Sequence, residues 1–257
     1  MSVNINLELT DHCNIKCPMC SQSMRDEAHG VPMRFMDWQT WRAALTGLAD
    51  MDEPVNLCPH WLGEPTIHPR FDQFVEYAFA VNRDRRLFHE FKVHTNGVVF
   101  SEARARLLVR LANAPTTHPD CFRTIHFSID SYSDAVYQAV KGADKREQVF
   151  RNVERFLRVR QEMGGELPYA HLAFVVQDGN HHEARAYLDH WTGLLDELGR
   201  PWRLCWDWPG PDRDAIYYRP LNCGDQARAD ALHAATVADL GVAEARGQQR
   251  LRAAESF

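Results

Sequence analysis

An α/β fold built on a parallel sheet is predicted by three observations. Short apolar runs of strand length alternate strictly with longer stretches whose apolar residues recur every three or four positions. That alternation implies right-handed crossovers and therefore parallel neighbours. Chemically loaded residues then follow four successive predicted strands, at the sheet end where parallel α/β folds bind ligands. Six strands are expected, and periodicity alone suits an open doubly wound sheet or a partly closed barrel equally.

The first predicted strand runs from Val3 to Leu9, where Val3, Ile5, Leu7 and Leu9 alternate, and it ends at a cysteine cluster. The others are Pro54 to Pro59, Glu90 to His94, Arg123 to Ile129, Tyr169 to Val176 and Trp202 to Trp206. Asp37 to Met51, Arg70 to Asn82, Glu102 to Asn113, Asp144 to Met163 and His181 to Leu198 read as amphipathic helices. At Pro209 the composition shifts to Pro-Gly-Pro-Asp-Arg-Asp, then to an Ala- and Arg-rich stretch with Leu232, Val237 and Leu240 on one apolar face. The expected division is a core over 1–208 and a short, mostly helical C-terminal appendage over 209–257.

Composition narrows the function. The chain has 257 residues, 45% of them hydrophobic, enough for one large core. A net charge of −6 supplies no basic field for a nucleic-acid backbone, so nucleic acid is an unlikely partner. The N-terminal residues lack the basic and apolar regions of a signal peptide, and no apolar run approaches the ~20 residues that span a bilayer. The expectation is a cytoplasmic protein with no membrane partner. Seven cysteines, at 13, 17, 20, 58, 121, 205 and 223, form one tight cluster and four scattered members, unlike a disulfide framework. Cys58 and Cys121 lie in apolar stretches and are expected as small core residues.

The cluster, Cys13-Asn14-Ile15-Lys16-Cys17-Pro18-Met19-Cys20, is a C-x3-C-x2-C run after a strand, on a loop able to wrap three sulfurs around one centre. Three thiolates on a four-iron cubane leave one iron open, whereas electron-carrier clusters normally take four. The alternative is zinc completed by His12 or His29, although structural zinc sites usually show two separated pairs.

Cys13, Cys17 and Cys20 in this spacing make the sequence resemble the radical S-adenosylmethionine (radical SAM) superfamily, over most of its length. Within it the chain resembles the SPASM and Twitch branch. The resemblance implies a partial (βα)6 TIM-like barrel, a [4Fe-4S] cluster held by Cys13, Cys17 and Cys20, and S-adenosyl-L-methionine as cofactor. Leu62-Gly63-Glu64-Pro65 resembles the family's Gly-Gly-Glu-Pro, with Leu62 replacing the first glycine, and implies that Gly63 and Glu64 hold the cofactor's amino group. Without the family it is a turn. Thr95-Asn96-Gly97 resembles the third-strand motif whose polar side chains face the cofactor, and is otherwise a turn. Ser128 and Asp130 match the fourth-strand pattern that reaches the cofactor's carboxylate and ribose, and they share a strand face by alternation. Tyr137 to Gly142 is similar to Tyr-x-x-x-Arg-Gly and implies that Lys141 meets the carboxylate; an exposed lysine before a turn is the plainer reading. Gln177 and Asn180 are further candidates to approach cofactor or substrate, and His181-His182 are expected to open a helix.

Cys205 and Cys223 lie where the branch's auxiliary cluster domain would begin, and two cysteines cannot build a four-thiolate cluster, so that domain is expected to be incomplete or absent. The implied activity is reductive cleavage of S-adenosylmethionine to a 5′-deoxyadenosyl radical that abstracts hydrogen from a peptide or small molecule. A flavodoxin or ferredoxin is the implied electron donor. The competing class is a non-enzymatic zinc- or iron–sulfur-binding interaction module. No motif indicates the catalytic residues beyond these or the reaction's outcome.

Overall fold

A computed structural model describes residues 3–23, 34–51, 53–116, 118 and 121–254; His29 lies outside them. The strands are β1 (Asn4–Asn6), β2 (Val55–Cys58), β3 (Phe88–Thr95), β4 (Thr124–Ser128), β5 (Tyr169–Val176), β6 (Trp202–Cys205) and β7 (Asp214–Pro220). The helices are α1 (Trp38–Ala49), α2 (Phe71–Arg85), α3 (Glu102–Asn113), α4 (Asp134–Lys141), α5 (Arg146–Glu162), α6 (Ala184–Glu197) and α7 (Gln226–Ala254). The strands form one parallel sheet in the order β1-β2-β3-β4-β5-β7-β6, with β1 and β6 as its edges. This is the expected partial barrel, open between those edges.

Two expectations change. The sheet has seven strands, not six, and β7 comes from the segment expected as a mostly helical appendage. Its residues Ala215-Ile216-Tyr217-Tyr218 are β-prone and fully buried, but they follow a Pro- and Gly-rich turn that resembles a domain boundary. The first strand is also shorter than the predicted Val3 to Leu9. As an edge strand it pairs with β2 alone, and past Leu7 the chain turns away toward the cysteines. The helix α4 has no counterpart among the predicted elements; Ser133 caps it by accepting from Val136 N, and Gly142 ends it at φ 64°. The long α7 packs on β6 and β7, where Leu240 is buried.

Strand alternation divides the sheet into two unlike faces. Leu57, Phe91, Val93, Ile125, Phe127, Leu172, Phe174 and Ile216 are buried in the core. Phe127 meets Phe100 and Phe156, and Phe174 meets Tyr187, so this face packs on the helices. The opposite face carries Asn56, Cys58, Lys92, His94, His126, Ser128 and His171, all lining one cavity. A parallel sheet normally buries apolar side chains on both faces. A polar inner face therefore requires polar partners, which a ligand can supply.

The inserted strand β7 is tied down by charge. Asp214 accepts from Arg160 Nη1 and Nη2 (2.8 and 2.6 Å) and from the Ala170 amide of β5 (2.7 Å), and Arg200 stands 3.6 Å away. Arg160 is fully buried and also donates to the Pro168 carbonyl. Asp214→Ala would leave that guanidinium uncompensated, which is expected to cost about 3–5 kcal/mol in urea unfolding. Glu197→Ala, which breaks the exposed pair with Arg158, is expected to cost less than about 1 kcal/mol.

Candidate active site

The cysteine loop is positioned mainly by backbone packing. Glu8 Oε1 accepts from the amides of Leu62 and Gly63, both at 2.7 Å, and the Glu64 amide donates to the His12 carbonyl at 2.7 Å. A Cβ at residue 63 would overlap the carbonyl oxygens of Thr10 and His12. On the other side, a Cβ on Gly142 would overlap the Lys16 carbonyl. Thr10 bridges to Phe35 and donates to the Arg34 carbonyl, Ile15 is buried in the core, and Cys20 N donates to the Cys17 carbonyl. The loop therefore runs between two glycines where no side chain fits.

Two polar groups flank it. In the first, Glu64 is 3% exposed and its carboxylate accepts from the Thr66 amide and hydroxyl, the Thr95 hydroxyl (2.8 Å) and the Asn96 amide (2.7 Å). Asn96 Nδ2 reaches Asn14 Oδ1 at 2.8 Å and Cys13 Sγ at 3.5 Å. Gly63, Glu64, Thr95 and Asn96 thus meet beside Cys13, with the Glu64 carboxylate engaged by the protein. In the second, Asp130 takes a left-handed φ of 62°, held by Asn180 Nδ2 on its carbonyl and the Val175 amide on Oδ1. Asp130 Oδ2 accepts from Lys141 Nζ (2.6 Å) and Ser128 Oγ (3.0 Å). Lys141 is buried rather than exposed. Burial opposes its charge, but Asp130, followed by Cys17 and Tyr137, holds its pKa above the usual lysine value. Ser128, Asp130 and Lys141 line the cavity together with Cys17 and Cys20.

The thiols suit a cluster. Burial pushes Cys13 up to about 12, reinforced by Glu64, and pushes Cys17 up against the opposing pull of Lys141. Such thiols become thiolates when a metal's positive charge replaces their protons. A cubane asks each thiolate to take a different iron. The adjoining cavity, about 900 Å³, reaches Cys17 and Cys20 and is large enough for a nucleoside-sized cofactor beside a second molecule.

Several residues that shape this site were not legible as such. Cys58, expected in the core, is half-buried on the cavity wall, because it lies on the inner face of β2. Asn180 holds the Asp130 turn and Gln177 lies along a separate groove with Cys223 and Asp225. His181 and His182 open a 3₁₀ turn into α6, as expected. The cavity wall also contains His60, His94, His126 and His171. Burial, then neighbouring cations and imidazoles, pushes His94 down to about 3; burial pushes His171 down to about 4, with Asp214 opposing. Strand alternation with Ser128 and Asp130 could have flagged His126.

Sequence and structure comparisons give a consistent result. The family model described as Radical SAM superfamily matches residues 7–166. The chain is 23% identical over 179 residues to the tungsten-containing aldehyde ferredoxin oxidoreductase cofactor-modifying protein of Pyrococcus furiosus, covering 68% of this chain and 44% of that protein. Its fold is similar to anSMEcpe solved with bound AdoMet and Cp18Cys peptide (TM-score 0.55, 16% identity, 86% of this chain and 51% of that one). It is also similar to Streptococcus suis SuiB bound to precursor peptide SuiA (TM-score 0.54, 12% identity, 93% and 46%). The chain spans about half the length of these relatives.

Two outcomes are expected. Gly142→Ala should lower the iron retained after anaerobic reconstitution several-fold without changing far-UV circular dichroism. Gly164→Ala, at the same φ of 64° but with open space around it, should retain iron normally and so separates loop displacement from backbone strain. Separately, unfolded histidines bind protons below about 6.5, while His94 and His171 resist protonation until much lower pH. The unfolded state then takes up more protons, so unfolding free energy should fall as pH drops from about 6.5 toward 4, by up to ~1.4 kcal/mol per pH unit for each histidine. His171→Gln should flatten that slope in urea titrations.

Proposed function

The chain belongs to the radical SAM superfamily, and from that membership we propose that it is an enzyme that abstracts hydrogen from a peptide or small molecule held in the cavity beside Cys17 and Cys20. The observation that carries this reading is the cysteine loop, held between Gly63 and Gly142 with Cys17 and Cys20 lining the cavity. When bound, the [4Fe-4S] cluster and S-adenosylmethionine supply an electron and a 5′-deoxyadenosyl radical. Cys13, Cys17 and Cys20 would hold the cluster.

The remaining work falls to this chain's own side chains. Glu64, Thr95 and Asn96 brace the Cys13 side of the loop by hydrogen bonds, and Gly63 lets the Thr10 and His12 carbonyls approach. Glu64 Oε2 has lone-pair capacity beyond its bond to the Asn96 amide, which suits an ammonium donor. Lys141 offers a fixed cation on the Cys17 side. Its ammonium is oriented by Ser128 and Asp130, so a carboxylate would meet a preorganised charge. Ser128 and Asp130 are the candidates for hydroxyl contacts on the same wall. The apolar helix-facing side of the sheet excludes water from behind the site.

A peptide substrate is supported by the two structural neighbours solved with peptides and by the exposed rings of Trp61 (62%) and Trp208 (52%) on the cavity wall. A flavodoxin- or ferredoxin-type protein would serve as electron donor. Among the described residues no helix is long and apolar enough to cross a membrane.

Anaerobically reconstituted protein should carry about four irons and form 5′-deoxyadenosine from S-adenosylmethionine with a strong reductant. Cys17→Ala should lose both properties. A sample with its full iron content that forms no 5′-deoxyadenosine, with or without candidate peptides, would overturn the enzymatic reading.

A further inference from the structure

The inner face of the sheet carries an aromatic and cationic surface that the cysteine loop and its flanking residues do not use. His94, His126 and His171 occupy one register row across β3, β4 and β5. Their ring centroids are 4.3 and 4.6 Å apart in sequence, and His60 stacks on His94 at 5.5 Å. Trp208 covers the row, 5.4 Å from His126 and 6.0 Å from His94. The guanidinium of Arg219 lies over Trp208, 5.1 Å from the ring centroid.

The charges on this wall do not balance. Lys92 is paired with Glu90 at 3.1 Å and Lys141 with Asp130 at 2.6 Å. Arg219 makes no ion pair or hydrogen bond among the described residues, and its Nε is buried without a partner. Arg219 lines the same cavity as His94, His126 and Trp208. His171 is 1% exposed and lines the cavity, its ring beside the Arg213 backbone and Tyr217.

We infer that the cavity receives a molecule bearing one carboxylate, which pairs with the edge of the Arg219 guanidinium while a flat part of the same molecule lies against Trp208 and the His94–His126 stack. Trp208 occupies one face of the guanidinium, leaving its edge to make the two parallel hydrogen bonds that a carboxylate accepts. One uncompensated positive charge calls for a monoanion. A phosphate dianion would add surplus negative charge beside Glu90 and Asp130. Neutral imidazoles both donate and accept, so an amide next to the carboxylate would find partners in His171 and its neighbours. Calling this molecule a substrate rests on the proposed radical chemistry; its binding does not.

The test uses the reconstituted 257-residue chain and three probes: hippurate, its neutral amide hippuramide, and phenyl phosphate, with affinities from ligand-observed NMR. Hippurate is expected to bind at least tenfold more tightly than either other probe. Arg219→Gln should abolish that preference, and Arg219→Lys should restore part of it, with iron content unchanged in both. Equal binding of hippurate and hippuramide, no binding of hippurate, tighter binding of phenyl phosphate, or an intact preference in Arg219→Gln would each overturn the inference. Should Arg219→Gln fail to fold, the three probes on the unaltered chain still decide. The 5′-deoxyadenosine assay on the same sample reads the radical chemistry separately: its failure with the hippurate preference intact rejects the enzyme and keeps the carboxylate site.

Discussion

The structure depends on a steric constraint at two points of backbone contact. Gly63 meets the carbonyls of Thr10 and His12, and Gly142 meets that of Lys16, with no room for a Cβ at either place. Between them the loop is too short to choose its own path, so the second and fourth strands' C-terminal connections jointly decide where three sulfurs point. Gly142 closes α4 in a left-handed conformation, and Asp130 starts the connection to that helix in another. The strain at Asp130 is held by Asn180, Val175 and Lys141, which ties the cysteine loop to β5 as well.

A second theme is the matching of buried charge. Asp214 and Arg160 neutralise each other where β7 enters the sheet, and Asp130 and Lys141 do so beside Cys17. Pairs of this kind gain little net stability over apolar packing, because desolvation offsets their attraction. They confer placement instead. The first allows a strand to insert between two others, and the second holds an ammonium at a fixed point on the cavity wall. Arg219 departs from the pattern, and that departure is what points to an anionic occupant.

Features whose residues are close in sequence were legible. The cysteine triplet, Gly63-Glu64, Thr95-Asn96 and the Ser128/Asp130 pair each sit at a single strand end, and Asp130 meets Ser128 through a left-handed turn past β4 rather than through strand alternation. Strand β5 was read to the residue because an eight-residue run buried on both faces has no competing periodicity. What escaped was set by tertiary neighbours. His94 and His171 carry no signal until strand register aligns them with His126. Lys141 reads as a surface residue until α4 turns it toward Asp130, and β7 reads as tail until Arg160 is seen to anchor Asp214. Glu8 has no local pattern at all, since its partners Leu62 and Gly63 lie more than fifty residues away.

The central claim is that this loop presents three thiolates to a four-iron cluster whose remaining iron is open to S-adenosylmethionine. Electron paramagnetic resonance of the reduced, reconstituted protein, recorded with and without S-adenosylmethionine, tests it most directly. The account predicts a [4Fe-4S]⁺ signal of about one spin per chain whose g-values shift when S-adenosylmethionine is added. A signal indifferent to S-adenosylmethionine, or a protein that takes up zinc in place of iron, would contradict it.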